Sequence, residues 1–477
     1  MLLRQTILYL PAQIVGPLAQ FLSVILWTYF LSPQEMGTFA LITAAQELAY
    51  TAIVFWFTLY TVRYFDKTAT TADKNTFLDT ERGVLLGASF VTALGMLAMP
   101  LFLTNGWDPN LAFAAVAYSV LRSAATHLAD RARTAADAIT YSILQVLWPV
   151  AGLGFGLLFV EIFSPTAATV LWGYTVAQIA TFVLASSRLE FGKIADISRP
   201  MIRAAVRYAF PLVIGGIFVW FANNGIRFVI EHSEGTAAVG LVTVGWGLGI
   251  RAATSAAMLV TAAAFPLAVS KSREYGLVRG QEQLVENGIL LLVALAPATA
   301  GLWAISQPLV GVLVAEPFRE MTAHVLPWAI LAGAFRSLRI HFGQHVFLLR
   351  EETLIPLATD VVDGVATMIG GAIGLAFGGL VGCVIGAACG SALGLVVTMV
   401  WGAYRHRFLF PLVDFLKICG AALTMVVALS FMPIRPQVLS LTAAIVTGAV
   451  IYGCMMGVLY PDRTRSFWDK IKGFSRA

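Results

Sequence analysis

Charge is what this sequence has least of. Only 12% of its 477 residues are Asp, Glu, Lys or Arg, where a soluble domain carries about a quarter. That shortage excludes an ordinary water-soluble globule. The formal net charge of +5 is no nucleic-acid signal, because the basic residues gather in connections between apolar runs. Cysteine is scarce too. Cys383, Cys389, Cys419 and Cys454 all fall inside apolar runs with no metal-ligand spacing, so free thiols are expected rather than a disulfide framework or a zinc site. Nor is a cleavable leader apparent. The first apolar stretch, 7–31, is too long for a signal-peptide core and has no small-residue cleavage site, so it reads as a retained helix.

Long apolar runs are abundant. Stretches of about 20 apolar residues, enough to span a bilayer as helix, recur fourteen times between residues 7 and 459. The run 354–403 is divided into two at Phe377-Gly378-Gly379, since Gly marks turns. The 42 glycines fit close helix packing in lipid. The fold class is therefore an all-α polytopic membrane protein with about 14 transmembrane helices.

Connections alternate in charge. One set carries Arg63, Lys67, Lys74 and Arg82, then Arg131 and Arg133, then Arg188 to Arg207, then Lys271, Arg273 and Arg279, then Arg405 and Arg407; the other is short and mostly acidic. Basic residues accumulate on the cytoplasmic side, which places both termini there. The longest basic connector, 188–207, separates an N-lobe of six helices (1–187) from a C-lobe of six (208–403). Two further helices and a basic amphipathic tail occupy 404–477. In the tail, Phe467, Trp468, Ile471 and Phe474 share one helical face, the pattern of an interfacial helix or else of a solvated basic end.

The two lobes share a pattern. Arg122-Ser123-x-x-x-His127 and Arg336-Ser337-x-x-x-His341 lie 214 positions apart, each inside an apolar run. Glu81-Arg82-Gly83 before the third helix resembles Glu286-Asn287-Gly288 before the ninth, Leu10-Pro11 resembles Phe210-Pro211, and Gly37 has a counterpart near Gly240. Four such matches in order indicate duplication, with two pseudo-symmetric lobes facing a polar cavity.

Charges at bilayer depth cost several kcal/mol and are normally paired or functional. Arg122, Arg227, Arg251, Arg336 and Arg339 sit inside predicted helices, as do Glu47, Asp360 and Asp363. The surplus of cations suits a phosphate, which Arg grips through a planar fork of donors. Tyr118, Trp220, Asn223 and Asn224 share helical faces with these arginines and suit a sugar. Each reading has a structural rival. Arg227 could pair with Glu231, and Arg336 and Arg339 with Asp360 and Asp363. Glu47, Asp360 and Asp363 fit a site for a coupling H+ or Na+ as well as they fit salt bridges. No cofactor or catalytic group is indicated.

Phe30-Leu31-Ser32-Pro33-Gln34-Glu35-Met36-Gly37 is similar to the first periplasmic turn of the polysaccharide transporter branch of the multidrug/oligosaccharidyl-lipid/polysaccharide exporter superfamily. In these Wzx-type flippases a Leu-Ser/Thr-Pro sequence, two variable residues, an aromatic or Met, and Gly lead into the second helix. The helix count and six-plus-six lobes extend the resemblance over the whole chain. It implies a non-enzymatic flippase in a bacterial cytoplasmic membrane, moving undecaprenyl-diphosphate-linked oligosaccharide from the cytoplasmic to the periplasmic leaflet by alternating access. The implied partners are the lipid-linked glycan, membrane lipids and polysaccharide polymerase machinery, with no nucleic acid. Two rivals are a cation-coupled multidrug antiporter of the same superfamily and a membrane glycan polymerase. The first would want an acidic cavity. The second would want a sizeable external loop carrying catalytic groups, and none is visible.

Overall fold

The computed structural model describes residues 2–65, 70–103, 108–408 and 410–461, and every regular element among them is a helix. Eleven of these helices are long and apolar enough to cross a membrane. One of them, Leu354–His406, has 53 residues, or roughly 80 Å of helix at 1.5 Å per residue. That is far more than a bilayer core of about 30 Å can hold. The backbone turns back on itself at Gly378 (φ −136°) and Gly379 (φ 60°, ψ −151°), and the second pair of angles is open to Gly alone at low cost.

With that helix counted as two, fourteen long helices are described. They are α1 (Leu2–Phe30), α2 (Pro33–Tyr64), α3 (Thr71–Ala98), α4 (Pro109–Thr134), α5 (Ala138–Ile162), α6 (Ala167–Ser186), α7 (Arg199–Glu234), α8 (Thr236–Tyr275), α9 (Leu277–Ala304), α10 (316–348), α11 (354–377), α12 (380–406), α13 (Leu412–Ser430) and α14 (Val438–Leu459). The all-helical polytopic expectation holds. α10 is not among the eleven; Glu316, Arg319, Glu320, Arg336 and Arg339 interrupt it. The expected interfacial helix at 462–477 lies outside the described residues.

Helix starts follow local chemistry. The side chains of Ser32, Thr70, Asp108, Asp137, Thr166 and Ser198 each accept a backbone N–H from the first turn of the helix that follows, the role these residue types fill best. At α2 the cap is joined by Pro33 in the first turn, where its missing N–H costs nothing. Three helices contain a π turn: Tyr50–Val54 in α2, Ile143–Leu147 in α5 and Arg339–Gly343 in α10. Such turns hold one extra residue and gather at functional places.

The chain divides by packing into two compact units, 1–244 and 245–477. The boundary falls inside α8. Of the expected linker 188–207, residues 188–198 form a connector and 199–207 already belong to α7.

In the first unit small residues bring helices to backbone contact. A Cβ on Gly173 of α6 would stand 2.5 Å from the Cα of Gly156 of α5, and one on Gly152 would strike the Tyr174 ring. Gly37 of α2 and Gly240 of α8, matched in the sequence, meet each other. A Cβ on Gly37 would lie 1.9 Å from the Thr236 carbonyl, and one on Gly240 1.9 Å from that of Pro33. In the second unit α11 and α12 touch along their glycines, Gly370 against Gly386 and Gly374 against Gly382, each at under 2.5 Å from a would-be Cβ to a carbonyl oxygen. Without a hydrophobic drive between helices in lipid, such close van der Waals approach is what holds a bundle together.

Candidate functional site

Two groups of charged side chains are built into the interior, one in each unit. The first centres on α4. Arg122 stands with its guanidinium carbon 3.9 Å from the centre of the Trp148 ring, a cation–π contact with the residue that follows the π turn of α5. Its Nη1 is buried and has no hydrogen-bond acceptor among the described residues. No carboxylate among them lies within ion-pairing distance; Glu47 and Asp130 act on it only through space. Tyr118, one turn earlier, is buried, and its ring packs edge-on against Tyr174 at 6.3 Å. Tyr174 lies 6.1 Å from Trp148 in turn. Ser123, the Ser of the repeated motif, accepts the Gln46 amide at 3.3 Å.

The remaining candidates of this unit fasten α7 to α2. Trp220 donates its indole N–H to the Ala44 carbonyl at 2.8 Å, Asn224 donates to Glu47 at 3.0 Å, and Arg227 donates to the Ala40 carbonyl at 3.3 Å. Asn223 is half-buried on the same helix. Glu231 accepts the Thr236 hydroxyl at 2.8 Å.

A second network in this unit involves residues whose part the sequence did not disclose. His127, fully buried, has Nδ1 2.8 Å from the Thr58 hydroxyl and Nε2 2.8 Å from a Glu81 oxygen. The other Glu81 oxygen takes the Arg131 guanidinium, which also donates to the Glu190 carbonyl at 2.9 Å. Around it the stretch 79–82 grips the connector. Asp79 accepts the backbone N–H groups of Lys193, Ala195 and Asp196, Thr80 accepts that of Ser198 at 2.9 Å, and Arg82 donates to the Gly192 carbonyl at 2.6 Å.

In the second unit the group is self-neutralised. Arg339 donates to Asp360 at 2.6 Å and to Asp363 at 3.1 Å, while Nε of Arg336 stands 3.4 Å from the same Asp363 oxygen. The Gln344 amide reaches Asp360 at 2.8 Å and Thr359 at 3.0 Å. Two guanidiniums and two carboxylates leave no formal charge over. Arg336 also stands 5.6 Å over the Trp246 ring, so both arginines of the repeated motif carry an indole partner. Arg251, on α8 of the same unit, is half-buried.

This architecture has counterparts among solved membrane transporters. The chain superposes on the lipid II flippase MurJ in an inward closed conformation with a TM-score of 0.74 at 13% identity, covering 97% of this chain and 100% of that one. The MATE multidrug transporter DinF-BH, solved as a ligand complex, matches with a TM-score of 0.57 at 14% identity over 86% of this chain and 96% of its own. An inward-facing multidrug resistance MATE family transporter of the MOP superfamily matches with 0.54 at 16% over 84% and 98%. No curated protein matches the chain in sequence. The family model described as "polysaccharide biosynthesis protein" matches residues 2–271, more than half of the chain. The chain therefore belongs to that family, and its fold is that of membrane transporters.

Proposed function

We propose that this protein is a flippase for a polyprenyl-diphosphate-linked oligosaccharide, carrying it from the cytoplasmic to the periplasmic leaflet of a bacterial inner membrane by alternating access. The observation that carries the reading is Arg122. An arginine at bilayer depth with no carboxylate partner among the described residues is costly to keep unless an anion visits it, and a diphosphate is such an anion. Membership of a polysaccharide biosynthesis family and a fold shared end to end with a lipid flippase support the same cargo class. The glycan rides with its polyprenyl tail left in the bilayer, and polymerase machinery would receive it outside.

In this reading Arg122 and Arg227 hold phosphate in the first unit, where Tyr118, Trp220, Asn223 and Asn224 face the sugar, and Arg251 is the further phosphate ligand of the second unit. Arg336 and Arg339 release phosphate-binding capacity only when Asp360 and Asp363 let them go. A coupling H+ or Na+ would act at those two aspartates or at Glu47, by favouring one arrangement of the bundle through differential affinity.

The multidrug transporters among the structural matches favour a second reading, an antiporter of organic cations. Reconstituted vesicles separate the two. Protein-dependent transbilayer movement of a polyprenyl-diphosphate sugar is expected, lost in Arg122→Ala at normal membrane abundance. Movement of organic cations alone, with no movement of the glycolipid, would establish the antiporter instead.

A further inference from the structure

Trp148 has no part in the reading above beyond lying under Arg122. It follows directly on the π turn Ile143–Leu147 and precedes Pro149, so the local backbone departs from the ordinary helical register where this side chain emerges. It is 6% exposed, and its indole Nε1 has no acceptor among the described residues. A buried indole N–H normally finds one.

Indole N–H and guanidinium are both donors that can accept nothing. Stacked on one another they satisfy neither, and a buried donor left unmet is expensive. What meets both is an oxygen with free lone pairs and negative charge. An organic cation would be repelled.

The second unit shows the same kind of stack with a carboxylate of the protein beside the guanidinium. Arg336 stands over the Trp246 ring, and an Asp363 oxygen lies 3.4 Å from the Arg336 Nε. At Arg122 the protein supplies no such oxygen among the described residues. We propose that Trp148 is a ligand-contacting residue, its indole N–H and the Arg122 guanidinium forming a donor-only subsite that takes an anionic phosphate oxygen of the transported lipid. The proposal rests on the flippase reading for the source of that phosphate, and on geometry alone for the subsite.

The full-length protein labelled with 5-fluorotryptophan, in nanodiscs of zwitterionic lipid, tests it by fluorine NMR. Trp148→Phe keeps an aromatic face under Arg122, removes the N–H and identifies the resonance. Inorganic pyrophosphate is expected to shift the Trp148 signal in the parent protein and not in Arg122→Gln. Pyrophosphate binding should weaken by at least about tenfold in Trp148→Phe at an unchanged melting temperature, the worth of one hydrogen bond to a charged group. If the Phe variant folds poorly, benzothienylalanine at 148 removes the N–H at constant shape.

Unchanged pyrophosphate affinity in the folded variant would overturn the proposal, as would a silent Trp148 signal in the parent. A shift produced by phosphatidylglycerol discs alone would assign the site to bulk lipid and overturn the substrate assignment. Trp148-dependent pyrophosphate binding without glycolipid transport would support the subsite and sink only the flippase reading.

Discussion

Arg122 and Arg336 hold matching places in two copies of one motif, and their surroundings have diverged. Arg336 shares Asp363 with Arg339, in a knot of four charges whose side chains are mostly sealed from solvent. Such a knot is fragile to the loss of one member, because the partner is left as an uncompensated buried charge at about 3–5 kcal/mol. Asp363→Ala is therefore expected to lower the thermal midpoint in detergent sharply, with the Asp363→Ala, Arg336→Met double variant, which keeps the Arg339–Asp360 pair, recovering much of the loss. Equal midpoints in the parent and the single variant would show that the knot carries no stability. The pairing of Arg339 with Asp360 was open to reading from the sequence, since the residues lie on successive helices at similar depth. The stacking of Arg122 on Trp148 was not. It joins α4 to α5 across a contact that neither hydropathy nor helical period records, and a π turn shifts the register just before it.

At the scale of elements the sequence is most legible where one residue type dictates the backbone. Gly378 and Gly379 mark the turn between α11 and α12, whereas α2 starts at Pro33, inside the stretch expected to be the turn that leads into it. The grip of residues 79–82 on the connector has no mark in the sequence. Glu81-Arg82-Gly83 stood out as a landmark of duplication, and the basic residues of 188–198 as a sign of sidedness. Neither pattern shows that the carboxylate of Asp79 gathers three backbone N–H groups from the connector. In the second unit the matching Asn287 donates instead to the Ala264 carbonyl of α8 at 2.7 Å, so the landmark kept its place while its partner changed. Asp79→Ala should release the connector. Hydrogen exchange at Lys193, Ala195 and Asp196 is expected to rise by at least tenfold, equivalent to about 1.4 kcal/mol, with exchange in α5 and α6 unaltered. Unchanged exchange at these three amides would mean that other contacts hold the segment.

For the molecule as a whole, the all-helical class and the number of helices were legible because lipid imposes them: each crossing needs about 20 apolar residues with its backbone satisfied internally, while α7 and α8, of 36 and 40 residues, run past the apolar stretches that mark them. The division into compact units was less so, as α8 runs across the boundary at Val244 and Gly245 without any break in composition. Sidedness is proposed from charge bias, and labelling tests it. In a cysteine-free background, Ser187→Cys is expected to react only after the membrane is opened to the cytoplasmic face. Ser164→Cys, exposed between α5 and α6, should react with an impermeant reagent added outside. The opposite pattern would invert the topology.

The hairpin of α11 and α12 has a mechanical consequence. Its arms are interlocked backbone to backbone at Gly370, Gly374, Gly382 and Gly386, and its open ends are strapped by Glu352, which accepts from Arg405 at 3.2 Å and lies 3.0 Å from His406. Two rods so splinted cannot slide past each other. A tug on Asp363 through Arg336 or Arg339 must drag both rods together, turning a side-chain event into the rigid swing of a single lever.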